Sequence, residues 1–205
     1  MAARILDLLL EEQLIAERRR TGADRYDEVW DGEYVMSPLA NNEHQLLASR
    51  LAAIFHEVLG SRDEVWSLAG ANVSDRPVEW TKNFRCPDVV VVLPGSKAED
   101  RGTHWYGGPD LVVEIASEGD ASYEKFDFYG SIAVREAIIV DRDPWSLEIY
   151  QLDHSGSMIL AGQCDPEENS AIVSQVLSAE LRLVPQRSRP GIEIFHPATG
   201  RKWQA

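Results

Sequence analysis

The chain has 205 residues, 44% of them hydrophobic, a composition that fits one globular domain with a sizeable core and excludes a disordered chain. Its 34 acidic residues against 20 basic ones give a formal charge of −14, so a nucleic-acid role needs a local basic face, a partner that supplies one, or a substrate other than a long duplex. No run is apolar and long enough to cross a bilayer, and two cysteines, Cys86 and Cys164, make no disulfide framework.

Residues 3–20 read as a helix with an uneven apolar stripe that includes Ile5, Leu8, Leu9 and Ile15, stopped by Thr21-Gly22. Asp7, Glu11 and Glu12 flank Leu8-Leu9-Leu10, which is wrong for a secretory signal, so the cytoplasm is the expected compartment. Residues 25–36 read as a hairpin turning at Asp31-Gly32, and Glu33 opens the return strand. A helix follows Asn41-Asn42, with Asn42 as cap and Gln45 at the capping-box position. Leu47, Leu51, Ile54, Phe55 and Val58 give it one apolar face, and Gly60 closes it. Short strands are expected at 65–68 and 71–73, and a loop at 76–84.

Two buried strands come next: Val89–Leu93, opened by Pro87-Asp88, and Leu111–Val113, closed by Glu114-Ile115-Ala116. The connection 94–109, with four glycines and two prolines, reads as a long loop, and such loops are often functional. Residues 121–130 read as a helix with Lys125 and Tyr129 on one face. Glu136–Val140 is a further buried strand, 141–144 a turn, and Leu147–Leu152 an outer strand to which 157–160 pairs. Residues 164–182 give no clear pattern. The tail beyond, with Pro185, Pro190 and Pro197, reads as irregular but packed through Ile192, Ile194, Phe195 and Trp203. One domain is expected: an N-terminal helix at 1–22, a core at 23–163 and a packed extension at 164–205.

The chemistry concentrates between Asp88 and Tyr129. A carboxylate at the end of a buried strand is costly without compensating charge. Two side by side repel, and a divalent cation with waters and phosphate oxygens relieves that repulsion. A nearby lysine then offsets charge growing on a phosphate. Each residue also has a plainer reading. Asp88 could cap a turn, Glu114 could simply pair with Lys125, and Lys125 could be an exposed helix residue. Glu33 could face water from its hairpin, His44 could be a satisfied core histidine, and Tyr129 could be core. Phosphate-binding loops, dinucleotide fingerprints, zinc spacings and the Gly-x-Ser-x-Gly elbow do not occur.

The order Pro87-Asp88, then Glu114 at a strand end, then Lys125 resembles the PD-(D/E)xK nuclease superfamily. With the flanks Arg25–Glu33, Met36-Ser37-Pro38, Glu43-His44-Gln45, Gly108–Glu114, Tyr129 and Val140-Asp141, the chain resembles the Uma2 family of restriction-endonuclease-like proteins over roughly residues 24–152. The resemblance implies an α/β (α+β) fold with a mixed central sheet flanked by helices. It implies Asp88 and Glu114 as ligands of one or two Mg²⁺ or Mn²⁺ ions. Lys125 would position water or offset charge, Glu33 would complete the acidic cluster, and His44 and Tyr129 would support it. The substrate would be nucleic acid, DNA favoured. A homo-oligomer, a dimer above all, is expected from the N-terminal helix and the Trp-bearing tail. The chain departs from the pattern twice. Ala116 stands where the superfamily has its lysine, and Ser117-Glu118 stands where Uma2 commonly has Ser-Pro, with Asp120 adding a further acid. Those departures and the acidic charge favour the alternative, a catalytically inactive module of the same fold that binds itself or a partner.

Overall fold

The computed structural model describes residues 8–37, 40–60, 64–116, 121–168 and 170–205. The chain begins with α1 (Leu8–Thr21), whose Arg18 reaches Asp27 and the Ala23 and Ser37 carbonyls. The hairpin of β1 (Glu28–Trp30) and β2 (Glu33–Val35) turns where expected: Asp31 and Gly32 have φ of 49° and 91°, both left-handed as the tightest hairpin turn requires. α2 (Asn42–Val58) is capped by Asn41, one residue before the expected Asn42. Asn41 is still extended, and its side-chain oxygen accepts the His44 N–H at 2.9 Å.

β3 (Trp66–Ala69) and β4 (Val73–Ser74) follow, then a 3-10 turn at Trp80–Lys82 and β5 (Phe84–Arg85). β6 (Val89–Val92) is the first central strand. The expected loop 94–109 instead contributes two short strands, β7 (Glu99–Asp100) and β8 (Trp105–Tyr106). β9 (Leu111–Ile115) is the second central strand. The expected 121–130 helix splits into a 3-10 turn, Ser122–Lys125, and a short α3 (Phe126–Ser131). β10 (Glu136–Arg142) and β11 (Trp145–Leu152) flank a turn containing the cis Asp143–Pro144 peptide. β12 (Met158–Cys164) lies outside β11, so β11 is interior, not outer. The tail is also more regular than its prolines suggested. β13 (Ile172–Ser174), β14 (Ala179–Val184), β15 (Gly191–His196) and β16 (Arg201–Gln204) form an antiparallel sheet, and Pro185, Pro190 and Pro197 fall between strands, where they cost no ladder bond.

The fold is mixed α+β. The central sheet has the order β12-β11-β10-β9-β6-β3, a second sheet β2-β1-β5-β4-β8-β7, and a third β13-β14-β15-β16. Only β9 and β10 run parallel in the central sheet, and α3 is their crossover. Burial on both faces explains the nearly unbroken apolar runs of β6 and β9, whose residues are buried throughout. Val89, Val91, Leu111, Val113 and Ile115 face α2 and the C-terminal sheet, in one cluster with Leu51, Phe55, Leu181 and Ile194. Val112 faces the other way, toward Phe128 and Tyr129. Glu114 shares the face of Val112 by strand alternation, and this aims its carboxylate at α3. No helix among the described residues is long and apolar enough to cross a membrane.

Candidate active site

Six elements deliver the site: β1, α2, β6, β9, the 3-10 turn and α3. The last ladder pair of β6 and β9 is Val89 with Val113, so one step further Asp88 comes beside Glu114. The Asp88 Oδ2 accepts the Ile115 N–H at 2.7 Å, which pins the carboxylate across the strand end. The same oxygen lies 3.1 Å from His44 Nε2, in the first turn of α2. His44 Nδ1 is buried and has no hydrogen-bond partner among the described residues. This assigns the proton to Nε2, where it is donated to Asp88.

Glu114 is buried among partners of a different kind. The Lys125 ammonium donates to Glu114 Oε2 and to Glu28 Oε1, each at 2.9 Å. The Tyr129 hydroxyl donates a short hydrogen bond to Glu114 Oε1. Lys125 sits at the end of the 3-10 turn and Tyr129 one turn later in α3, which is how residues four apart reach one carboxylate. Glu28 is held in turn by the Cys86 N–H at 2.8 Å and the Trp30 indole N–H at 2.6 Å. Arg85 backs the cluster, its guanidinium between the Trp30 and Phe128 rings at 4.6 and 4.2 Å.

The electrostatics follow from the Lys125 ammonium among several acids, with the buried Arg85 guanidinium acting on Glu28 and Tyr129. Burial, reinforced by the nearby charges of Asp88 and Glu28, pushes the Glu114 carboxyl up to about 8 despite the opposing pull of Lys125. Burial works against the Lys125 ammonium, but Glu114 and Glu28 outweigh it and hold the lysine above its ordinary range. Burial raises the Tyr129 phenol well above its usual range and pushes the Cys86 thiol up to about 12. Cys86 is therefore an inert buried thiol. Lys125 and Tyr129 stay protonated donors at neutral pH.

The structure thus brings together Asp88, His44, Glu114, Lys125 and Tyr129. Glu33 lies apart. It opens β2 opposite Trp30, on the exposed tip of the hairpin. The acid that joins the cluster from this hairpin is Glu28, which sequence reasoning passed over. Alternation puts Glu28 on the same side of β1 as Trp30, where it is buried, but three residues are too short a run to show this in the sequence. Ser117, Glu118 and Asp120 lie outside the described residues. Close by, Arg142 and Arg189 both pair with Glu43, each at 3.3 Å, and Arg142 also reaches Asn41 and the Ala116 carbonyl. Both guanidiniums thus lie against the first turn of α2.

A mixed sheet whose central strands end in paired acids, with a lysine on the crossover, defines a nuclease-like fold. The crystal structure of a "putative nuclease belonging to DUF820" from Anabaena variabilis shares it, with a TM-score of 0.57 over 74% of this chain and 82% of that one, at 12% identity. The chain belongs to the Uma2 family, described as "Putative restriction endonuclease", whose signature matches residues 11–186. That span adds most of α1, together with β12, β13 and β14, to the stretch that carried the resemblance. No curated protein matches the chain.

Proposed function

We propose that this protein is a divalent-cation-dependent phosphodiesterase acting on nucleic acid, with DNA as the favoured substrate. The observation that carries the reading is the convergence of Asp88 and Glu114 across two strand ends, with the Lys125 ammonium 2.9 Å from Glu114. Membership of a restriction-endonuclease family supports it, since restriction-endonuclease-like proteins generally use divalent metal ions. The donor set fits such an ion in part. Among the described residues no three His, Cys, Asp or Glu side chains cluster to hold one. Asp88 and Glu114 nevertheless form the two-carboxylate set that Mg²⁺ or Mn²⁺ takes when waters and phosphate oxygens complete its shell. When bound, the ion would supply Lewis-acid polarisation of the phosphate and activation of water.

The chain's own groups have separable tasks. His44 holds Asp88 in one orientation. Tyr129 and Lys125 fix both oxygens of Glu114, and Glu28 holds Lys125. Because Lys125 stays cationic, its part in hydrolysis is electrostatic, offsetting negative charge as it grows on the phosphate.

The test uses Asp88→Ala and Glu114→Ala, each checked for native circular dichroism. Mn²⁺- or Mg²⁺-dependent cleavage of labelled DNA by the wild type should vanish in both. Cleavage retained in both purified variants would sink the proposal. One observation favours a second reading, the silent binding module: both Glu114 oxygens already accept hydrogen bonds from the protein. Calorimetric titration with Mn²⁺, with and without a short oligonucleotide, separates the two. Silence in both titrations selects the module.

A further inference from the structure

A shelf of aromatic rings stands beside the candidate site, on the same face of the central sheet. The ladders put Glu114 of β9 opposite Ile139 of β10, and Ile139 opposite Glu148 of β11. Residues opposite one another share a face, so Glu148 lies in one row with Glu114, two strand spacings or about 10 Å away. The neighbouring row, Val112, Ala137 and Tyr150, packs into one cluster with Phe128 and Tyr129, which confirms the shared face. Two phenols are tethered to Glu148: the Tyr123 and Tyr150 hydroxyls donate to its Oε2 at 3.0 and 2.7 Å. The Phe126 ring joins them, its centre 4.4 Å from that of Tyr150 and 5.7 Å from that of Tyr123. Phe126 and Tyr150 are half-buried, and Tyr123 is 44% exposed. Tyr123 also lies on the 3-10 turn that carries Lys125. One short turn thus sends a cation inward to Glu114 and an aromatic ring outward over the sheet.

We propose that this shelf is a platform for an unpaired nucleobase of the DNA strand whose phosphate reaches Glu114 and Lys125. The proposal rests on the reading of that site as a phosphodiesterase, and it narrows the substrate to single-stranded or locally opened DNA. Adjacency selects the occupant, because about 10 Å between the acid and the rings is within the span of a dinucleotide. Every base has a flat π face that stacks on an aromatic ring. Bases inside a duplex cover those faces with one another, so only an unpaired base can lie on Tyr123. Charge points the same way. A chain of −14 forgoes much of the phosphate attraction on which duplex binding rests. Glu148 and Asp141 act on Tyr123 at close range and repel phosphate there, whereas a neutral base meets no such cost. The tether to Glu148 holds the ring in place beforehand, so little freedom is lost when a base settles on it.

The experiment measures fluorescence anisotropy of a labelled single-stranded DNA oligonucleotide and of its duplex, in EDTA and in Ca²⁺, with the wild type, Tyr123→Leu and Tyr123→Phe. A second oligonucleotide carries a fluorescent adenine analogue whose emission is quenched on stacking. Circular dichroism verifies the fold of both variants, which the exposure of position 123 favours. The wild type should bind the single strand more tightly than the duplex and quench the analogue. Tyr123→Leu keeps apolar bulk without a π face. It should weaken single-strand binding by at least about fivefold and lose the quenching. Tyr123→Phe keeps the ring and should retain both. A wild type that binds neither DNA, or prefers the duplex, overturns the proposal. So does a Tyr123→Leu protein that binds and quenches like the wild type. Binding is read without turnover, so the two readings fail separately. Tyr123-dependent binding without Mn²⁺- or Mg²⁺-dependent cleavage upholds the platform and sinks the hydrolysis. Cleavage with binding that ignores Tyr123 does the reverse.

Discussion

Asp88 and Glu114 sit side by side on neighbouring strands in unlike surroundings. The Asp88 side chain keeps 17% of its surface and is held by one backbone N–H and an imidazole. Glu114 keeps 4% and is locked to Lys125 and Tyr129, with Lys125 locked to Glu28. One carboxylate is within reach of solvent, and the other is built into the core. The pair teaches that two acids of one site need not share their costs. Chemistry should be lost from either, whereas stability should depend almost wholly on the Glu114 side.

The strongest way to break that contrast is Lys125→Met. It leaves Glu28 and Glu114 buried without their cation, and stability should fall by about 3–5 kcal/mol. Asp88→Asn keeps an acceptor for the Ile115 N–H and should cost only about 1 kcal/mol. Urea denaturation of the two variants checks this, and equal losses would erase the contrast.

A smaller effect lies in pH. The Glu114 carboxyl titrates near 4.5 when unfolded and is raised to about 8 by burial in the fold. The folded state therefore binds the extra proton, and this group's contribution is complete below about 4.5 and is lost as pH rises toward 8. Glu114→Gln cannot titrate. Its stability relative to wild type should climb across that window, measured as denaturation midpoints at a series of pH values. A constant offset between the two would contradict the assignment.

Tyr129→Phe should act least, removing one hydroxyl from a ring that still fills its place, at about 1–2 kcal/mol. The hydroxyl also favours the charged form of Glu114. Without it the pH window of the wild type should move upward, which the same denaturation series detects.

Much of this site was legible because its residues sit at boundaries that the pattern marks. Asp88 precedes a valine run, Glu114 ends another, and Lys125 and Tyr129 are four apart on one turn. Glu28 was not legible as a partner. A three-residue strand carries too little alternation to fix which side is buried until the sheet that covers it is known. The same limit hid β7 and β8, two residues each. The C-terminal sheet was missed for another reason: its prolines were weighed as breakers of a whole region, when they only punctuate strands whose apolar alternation is regular. The short α3 follows from its neighbours. Gly130 lies so close to Gly156 that a Cβ there would meet the Gly156 carbonyl oxygen at 2.2 Å, and the helix ends at Ser131.

The Glu28–Lys125 ion pair joins residues 97 positions apart, while Lys125 and Glu114 are 11 apart. During synthesis the first hairpin must wait for nearly a hundred more residues before its acid finds a cation. Contacts of such long range carry a loop-closure cost before they return any stability, and topologies rich in them fold slowly. The half of the site made by Glu114, Lys125 and Tyr129 is local, its contacts spanning 11 and 15 residues. The half that Glu28 supplies needs the longer loop to close, so a chain in which that loop is still open holds an unfinished site.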